Sequence, residues 1–222
     1  MSGKLDLTDR DSVHRFIGRN TKLLAPPLVP EIVLHLAAES LPIWQKTEDE
    51  LGEMNVPPPY WAFAWAGGQA IARYLLDNPE ICRGQAVLDV GTGSGIAAIA
   101  AAKAGAKKVV ASDVDALALA SCGLNAEANA VSIKITAADV LDAPPGGENV
   151  VIIADLFYER ALAERVLGYI SNAKAKGSTV LIGDPQRGYF PKGLFARLAE
   201  YQVPVTRELE DAEIKRTAVW RA

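Results

Sequence analysis

The chain has 222 residues, half of them apolar, and its 23 Lys plus Arg against 27 Asp plus Glu give a formal net charge of −4. Such a chain has the length for one domain with a sizeable core and is too apolar for wholesale disorder. The balance argues against non-specific nucleic-acid binding, which rests on clustered Lys and Arg neutralising phosphates. Cys82 and Cys122 have no Cys or His nearby at metal-ligand spacing and read as reduced thiols. His14 and His35 lie far from every motif below, so neither a metal site nor histidine-based catalysis is expected. The N-terminus carries Asp6, Asp9 and Asp11 where a secretory or transit segment would be basic, and no apolar run is long enough to span a bilayer. A cytoplasmic protein with no membrane partner is expected.

Residues 1–59 are expected to form an N-terminal extension broken by Pro26, Pro27 and Pro30. Thr8 predicts a short helix, its hydroxyl capping the first turn with Asp11 reaching back. The alternation of Ile32, Leu34 and Leu36 predicts a short strand, and Pro57, Pro58 and Pro59 a stiff connector. From Tyr60 onward strand and helix alternate. Strands are predicted over Ala86–Val90, Val109–Ser112, Ile133–Thr136, Val150–Ala154 and Thr179–Gly183. Helices are predicted over Ile96–Lys103, where alanine dominates, over Ala116–Asn129, and from near Glu159. The alternation implies parallel strands with helical crossovers, an open, doubly wound α/β sheet filling residues 60–222. A helix near Leu194–Tyr201, then strands at Val203–Leu209 and Ile214–Trp220 joined by a hairpin loop at Glu210–Glu213, close the chain.

The strongest chemical signal is Val87-Leu88-Asp89-Val90-Gly91-Thr92-Gly93-Ser94-Gly95. Glycines at alternate positions let the backbone turn sharply from strand to helix and approach a ligand without Cβ clashes; a tight turn with no ligand is the plainer alternative. A dinucleotide fingerprint places two residues between its second and third glycines. Here only Ser94 does so, which counts against a nicotinamide oxidoreductase. The spacing and Asp89 resemble the first motif of S-adenosylmethionine methyltransferases, which implies a seven-strand, Rossmann-like fold. Asp113, following the second strand, is placed to accept from both ribose hydroxyls, with Asp115 as competitor and helix capping as the alternative role. Asp139 follows the third strand and is placed to accept from an adenine amino group, unless it is an ordinary loop residue.

Asp155-Leu156-Phe157-Tyr158 follows the fourth strand, at the edge where ligands of open α/β sheets bind. Amino-directed nucleic-acid methyltransferases often carry Asn or Asp before Pro-Pro-Tyr here, and Leu156 and Phe157 replace both prolines. A carboxylate and a phenol suit a lysine side chain; the alternative is that Asp155 caps the following helix. Trp61 and Trp65, four residues apart, would share a helix face and pack in the core.

Pro59-Tyr60-Trp61-Ala62, Trp65-Ala66-Gly67-Gly68-Gln69-Ala70 and Arg73-Tyr74-Leu75-Leu76-Asp77-Asn78-Pro79 resemble the early segment of the lysine methyltransferase family that modifies the β subunit of electron transfer flavoprotein. Asp155-Leu156-Phe157-Tyr158 resembles that family's acid-x-x-aromatic motif, and Gly183-Asp184-Pro185-Gln186-Arg187 its late Gly-Asp-Pro-x-Arg segment. The likeness runs from about Pro26 to Trp220; Ala66, where proline is expected, departs from it. The resemblance implies S-adenosylmethionine as cofactor, S-adenosylhomocysteine as product, and a protein substrate. It places Trp65, Gly67, Gly68 and Gln69 near the methionine end of the cofactor. Asp155 and Tyr158 become the catalytic pair that captures and orients lysine. Asp184 and Arg187 line the substrate side or, alternatively, form an ion pair bracing the loop. Eukaryotic members act in mitochondria, so the acidic N-terminus suggests a bacterial member sharing the cytosol with its substrate. Competing expectations are methylation of a ribosomal protein, of a small molecule, or a non-catalytic cofactor-binding partner.

Overall fold

The computed structural model describes residues 5–37, 57–205 and 213–222. Helix α1 (Arg10–Asn20) is capped by Asp9, whose carboxylate accepts from Asp11 N–H. The expected Thr8 cap is corrected: the Thr8 hydroxyl donates to Asp6, and Asp9, next to the first turn, takes the free Asp11 N–H instead. Strands β1 (Lys22–Leu24) and β2 (Leu34–Leu36) pair antiparallel. Ile32 is buried before the strand begins.

A seven-stranded sheet follows: β3 (Ala86–Val90), β4 (Lys108–Ser112), β5 (Lys134–Thr136), β6 (Val150–Ala154), β7 (Thr179–Asp184), β8 (Ala196–Pro204) and β9 (Ile214–Arg221). Their spatial order is β5-β4-β3-β6-β7-β9-β8. The first five run parallel, and β9 pairs antiparallel with both β7 and β8. Between them lie α2 (Ala66–Asp77), α3 (Ile96–Lys103), α4 (Ala116–Ala128) and α5 (Arg160–Ala175).

The central strands are apolar on both sides because both sides are covered. Val87, Val150, Ile152 and Leu181 pack with Ala70, Ile71 and Ile99 of α2 and α3. The alternate residues Leu88, Val151, Ile153 and Ile182 pack with Val166, Tyr169 and Ile170 of α5. The N-terminal residues Val29, Ile32 and Leu34 join the first of these clusters. Asn125 and Asn129 on α4 tie β2 down by hydrogen bonds to the backbone of His35 and Val33.

The helix expected near Leu194–Tyr201 is corrected: β8 occupies that region. Ala, Arg, Leu and Glu favour helix locally, but β9 offers a full ladder, and Ala199, Tyr201 and Val203 then alternate inward. A register shift between Arg197 and Ala199 marks a bulge, and Pro204 ends this edge strand. The expected hairpin loop at 210–213 and the rest of the preceding strand segment lie largely outside the described residues. Trp61 and Trp65 do not share a helix. Trp61 is buried in a short 3₁₀ turn at Tyr60–Ala62, while Trp65 precedes α2.

Candidate active site

A cavity of about 420 Å³ opens at the carboxyl ends of β3, β4 and β6, with Gly91, Gly93, Asp113, Asp139, Asp155 and Arg187 in its wall. Its size falls within the roughly 300–1,000 Å³ usual for small-molecule sites.

One half is built on the turn between β3 and α3. Gly95 sits at φ +82° immediately before the helix, and a Cβ there would meet Cys122 Sγ at 2.7 Å. The turn is fastened from behind by Asp89, which accepts from the Thr92 hydroxyl at 2.6 Å. Burial pushes the Asp89 carboxyl up to about 7, with Asp113 adding to the effect. Asp89 and Gly95 therefore shape the loop from beneath, whereas Gly91 and Gly93 form cavity wall. Asp113 Oδ2 accepts from Gly93 N–H at 2.9 Å, linking the loop to the end of β4. Asp115 is the residue that caps α4, by accepting from Leu117 N–H. Asp139 accepts from Leu141 N–H and pairs with Arg165 at 2.7 Å. Arg165 is a wall residue that sequence reading missed; nothing in its helical context distinguishes it from a solvated cation.

The other half joins residues far apart in the chain. Asp155 has φ +59°, an unusual conformation for a residue with a side chain. Its Oδ2 accepts from Gly68 N–H at 2.9 Å, so it caps α2, where Trp65 offers no side-chain cap. The expected alternative is corrected: Asp155 caps a helix, but α2 rather than the following α5, which begins after Glu159 without a side-chain cap. Its Oδ1 accepts from Arg187 Nε at 3.0 Å and Nη2 at 2.6 Å. The Arg187 guanidinium lies 5.3 Å from the Trp65 ring centroid, within cation–π range.

Gly67 makes this cluster possible. A Cβ on it would run into the Gly183 carbonyl oxygen and come within 2.6 Å of Asp155 Oδ2. Gly67 therefore acts through close backbone approach and does not line the cavity. Gln69 is also buried beside it, donating to the Ala64 carbonyl at 2.7 Å, with Oε1 unpartnered among the described residues. Trp65 does line the cavity, its indole N–H held on the Tyr60 carbonyl. Tyr158, half-exposed, lies 6.1 Å from Tyr60 ring to ring at the mouth. Burial, then Tyr60, Glu159 and Asp113, push its phenol pKa up, so the hydroxyl stays protonated at neutral pH.

Asp184 is fully buried and takes Arg187 N–H at 2.7 Å. Burial, with repulsion from Asp155, pushes its carboxyl up to about 7. The expected Asp184–Arg187 brace thus exists through the Arg187 backbone, while the guanidinium goes to Asp155. Asp184 lies outside the main cavity wall.

Residues 72–183 match the ribosomal protein L11 methyltransferase (PrmA) family model. The electron transfer flavoprotein beta subunit lysine methyltransferase of Danio rerio is 36% identical over 218 residues, covering 95% of this chain and 83% of that protein. The Homo sapiens protein of the same name is 33% identical over 215 residues, covering 94% and 81%. Magnesium protoporphyrin IX methyltransferase from Synechocystis PCC 6803, solved with bound SAM, shares the fold at TM-score 0.52 and 16% identity, over 81% of this chain and 88% of that one. Fold and relatives together define a methyltransferase of the seven-strand, Rossmann-like class. The chain belongs to the electron transfer flavoprotein β subunit lysine methyltransferase family.

Proposed function

We propose that this enzyme is a protein-lysine N-methyltransferase that uses S-adenosylmethionine to methylate lysine side chains of an electron transfer flavoprotein β subunit. The observation that carries the reading is one continuous cavity wall. It runs from the glycine turn and Asp113, suited to a nucleoside, to the Asp155 carboxylate and the Tyr60–Tyr158 mouth, suited to a long cationic side chain. The residues present fit the cofactor. Gly91 and Gly93 leave room at the turn, Asp113 offers carboxylate oxygens for ribose, and Val140 and Leu141 give apolar surface beside Asp139.

When bound, the cofactor supplies an electrophilic methyl group on a sulfonium, whose positive charge also disfavours an ammonium nearby. The lysine must present a neutral nitrogen, and free lysine has a pKa near ~10.4, so neutralising it at pH 7 costs roughly 4–5 kcal/mol. Asp155 is assigned to capture and orientation and not to general-base chemistry, because a nearby carboxylate favours the ammonium form. Tyr158 supplies ring contact and a phenol that hold the nitrogen in line, and the lysine proton leaves to water. Orientation of this kind contributes several kcal/mol when the geometry is near attack. The cytosolic placement expected from the sequence belongs to this proposal.

Intact mass of the flavoprotein β subunit after incubation with enzyme and S-adenosylmethionine tests the reading, with Asp155→Asn alongside. Asparagine keeps an acceptor for Gly68 and tolerates positive φ better than alanine. Methyl-sized mass steps with the wild type, reduced about a hundredfold in rate by the variant with S-adenosylhomocysteine affinity retained, are expected. The family-model match at residues 72–183 favours a ribosomal stalk protein as the second candidate substrate. Steps on that protein and none on the flavoprotein subunit would replace the substrate assignment.

A further inference from the structure

Asp155 poses an electrostatic problem for amine chemistry, and the structure carries a feature that answers it. The carboxylate is held before any substrate arrives, by the N-terminus of α2 through Gly68 N–H and by two N–H groups of Arg187 on Oδ1. Both ion-pair side chains are largely buried, at 16% and 10% exposure for Arg187 and Asp155, so solvent screens the pair less than a surface contact. The guanidinium is fixed in turn by the Trp65 ring on one side and by its own backbone N–H on Asp184. Arginine suits the position because it cannot deprotonate, whereas a lysine beside the donor would be a competing methyl acceptor.

We propose that Arg187 is a positioning residue that neutralises Asp155, so that the target lysine is received by hydrogen bonding as a neutral amine instead of being trapped as an ammonium. The proposal deepens the lysine-methyltransferase reading and rests on it. The charged and titratable groups described at this cavity come from several elements. Asp184, at the end of β7, acts on Asp155 directly; Tyr60, Tyr158, Asp113, Asp115, Asp139 and Arg165 share the cavity wall with it, and Glu159 acts on Tyr158. Most are acids or phenols, and Arg165 is paired with Asp139 and Asp142, so among these groups it is Arg187 that stands against Asp155. Its removal would take away the positive charge that lies nearest this carboxylate among the described residues.

The test compares wild type, Arg187→Gln and Arg187→Lys across pH on the flavoprotein subunit, with S-adenosylhomocysteine affinity and melting temperature as fold controls. An opposite charge within a few ångströms moves a pKa by about 1–3 units. Arg187→Gln should therefore raise the pH midpoint of kcat by about one unit and lower turnover near neutrality about tenfold. The deficit should close as pH rises, with KM for the protein substrate unchanged or lower. Arg187→Lys should return the midpoint most of the way. A deficit constant across pH, or a raised KM with an unmoved midpoint, would mean a merely structural role and overturn the proposal.

A second measurement needs no variant. The β subunit monomethylated with a ¹³C-methyl group is titrated by NMR in its complex with enzyme and S-adenosylhomocysteine. A bound-amine pKa at or below that of the free protein supports neutralisation by Arg187, and one raised by a unit or more overturns it. Wild-type enzyme without transfer to any lysine sinks both readings. Wild-type transfer with a pH-independent Arg187→Gln deficit sinks this one alone.

Discussion

The two halves of the cavity, proposed to hold the methyl donor and the acceptor lysine, differ in how their parts are brought together. The donor half is a turn of five residues, Gly91–Gly95, with Asp89 beneath it and Asp113 a short crossover away. The acceptor half unites Gly68, Asp155 and Arg187, with 87 residues separating the first two and 32 the last two. The donor half holds its shape by local backbone geometry and one buried acid. The acceptor half holds its shape only while α2 sits hard against the end of β7. A change in packing should therefore damage acceptor positioning first, whereas a change in loop dihedral should damage cofactor affinity first.

The largest effect should come from Gly67→Ala, which forces a methyl group between α2 and the Gly183 carbonyl where backbone lies on both sides. Overpacking of this kind costs about 1–3 kcal/mol, and the displacement of Gly68 N–H from Asp155 should lower turnover about a hundredfold. Denaturant melts and S-adenosylhomocysteine titration separate the two losses. Cofactor affinity falling as steeply as turnover would show that the halves are one mechanical unit.

Gly95→Ala should come next. Its φ of +82° and the contact with Cys122 act together, and the left-handed conformation alone costs about 1–2 kcal/mol. Gly93→Ala shares the positive φ, at +52°, but meets nothing within 4 Å, so it should lose about 1 kcal/mol less than Gly95→Ala. Equal losses, measured by thermal melts, would assign the whole effect to backbone dihedral and none to the Cys122 contact.

Asp89 gives the smallest effect at low pH and a growing one above it. Its folded-state pKa of about 7 lies above the ordinary value of about 3.9. Between these values the folded state binds a proton that the unfolded state does not, so this group's contribution to stability falls as pH rises from about 4 to about 7. Asp89→Asn removes that dependence. The variant's unfolding free energy, measured by denaturant melts, should gain on the wild type across this window, by an amount on the order of a few kcal/mol at its upper end. A difference that stays flat with pH would mean that Asp89 ionises at its ordinary value despite its burial.

The legible parts of the fold were those whose local composition agrees with the state they adopt. The glycine spacing at 91–95 and the apolar runs at 86–90 and 150–154 appear in the structure as turn and strands with those bounds. The segment 194–201 misled because its composition favours helix, and the ladder it forms with β9 overrides that local preference. Thr8 misled on a smaller scale, since two adjacent polar residues compete for one cap and sequence gives no geometry to choose between them. Gly67 and Gln69, which family resemblance places near the cofactor, lie buried behind the cavity wall, and Arg165 joined that wall without a sequence signal.

The doubly wound α/β fold was readable from periodicity and glycine spacing, which act over a few residues, and the family from the resemblance of its motif segments. Only the tertiary structure decided that Asp155 caps α2 and that Arg187, not a solvent ion, stands against it. A carboxylate's charge environment depends on which donors lie within about 3 Å, and here those donors come from 87 residues before Asp155 and 32 after it.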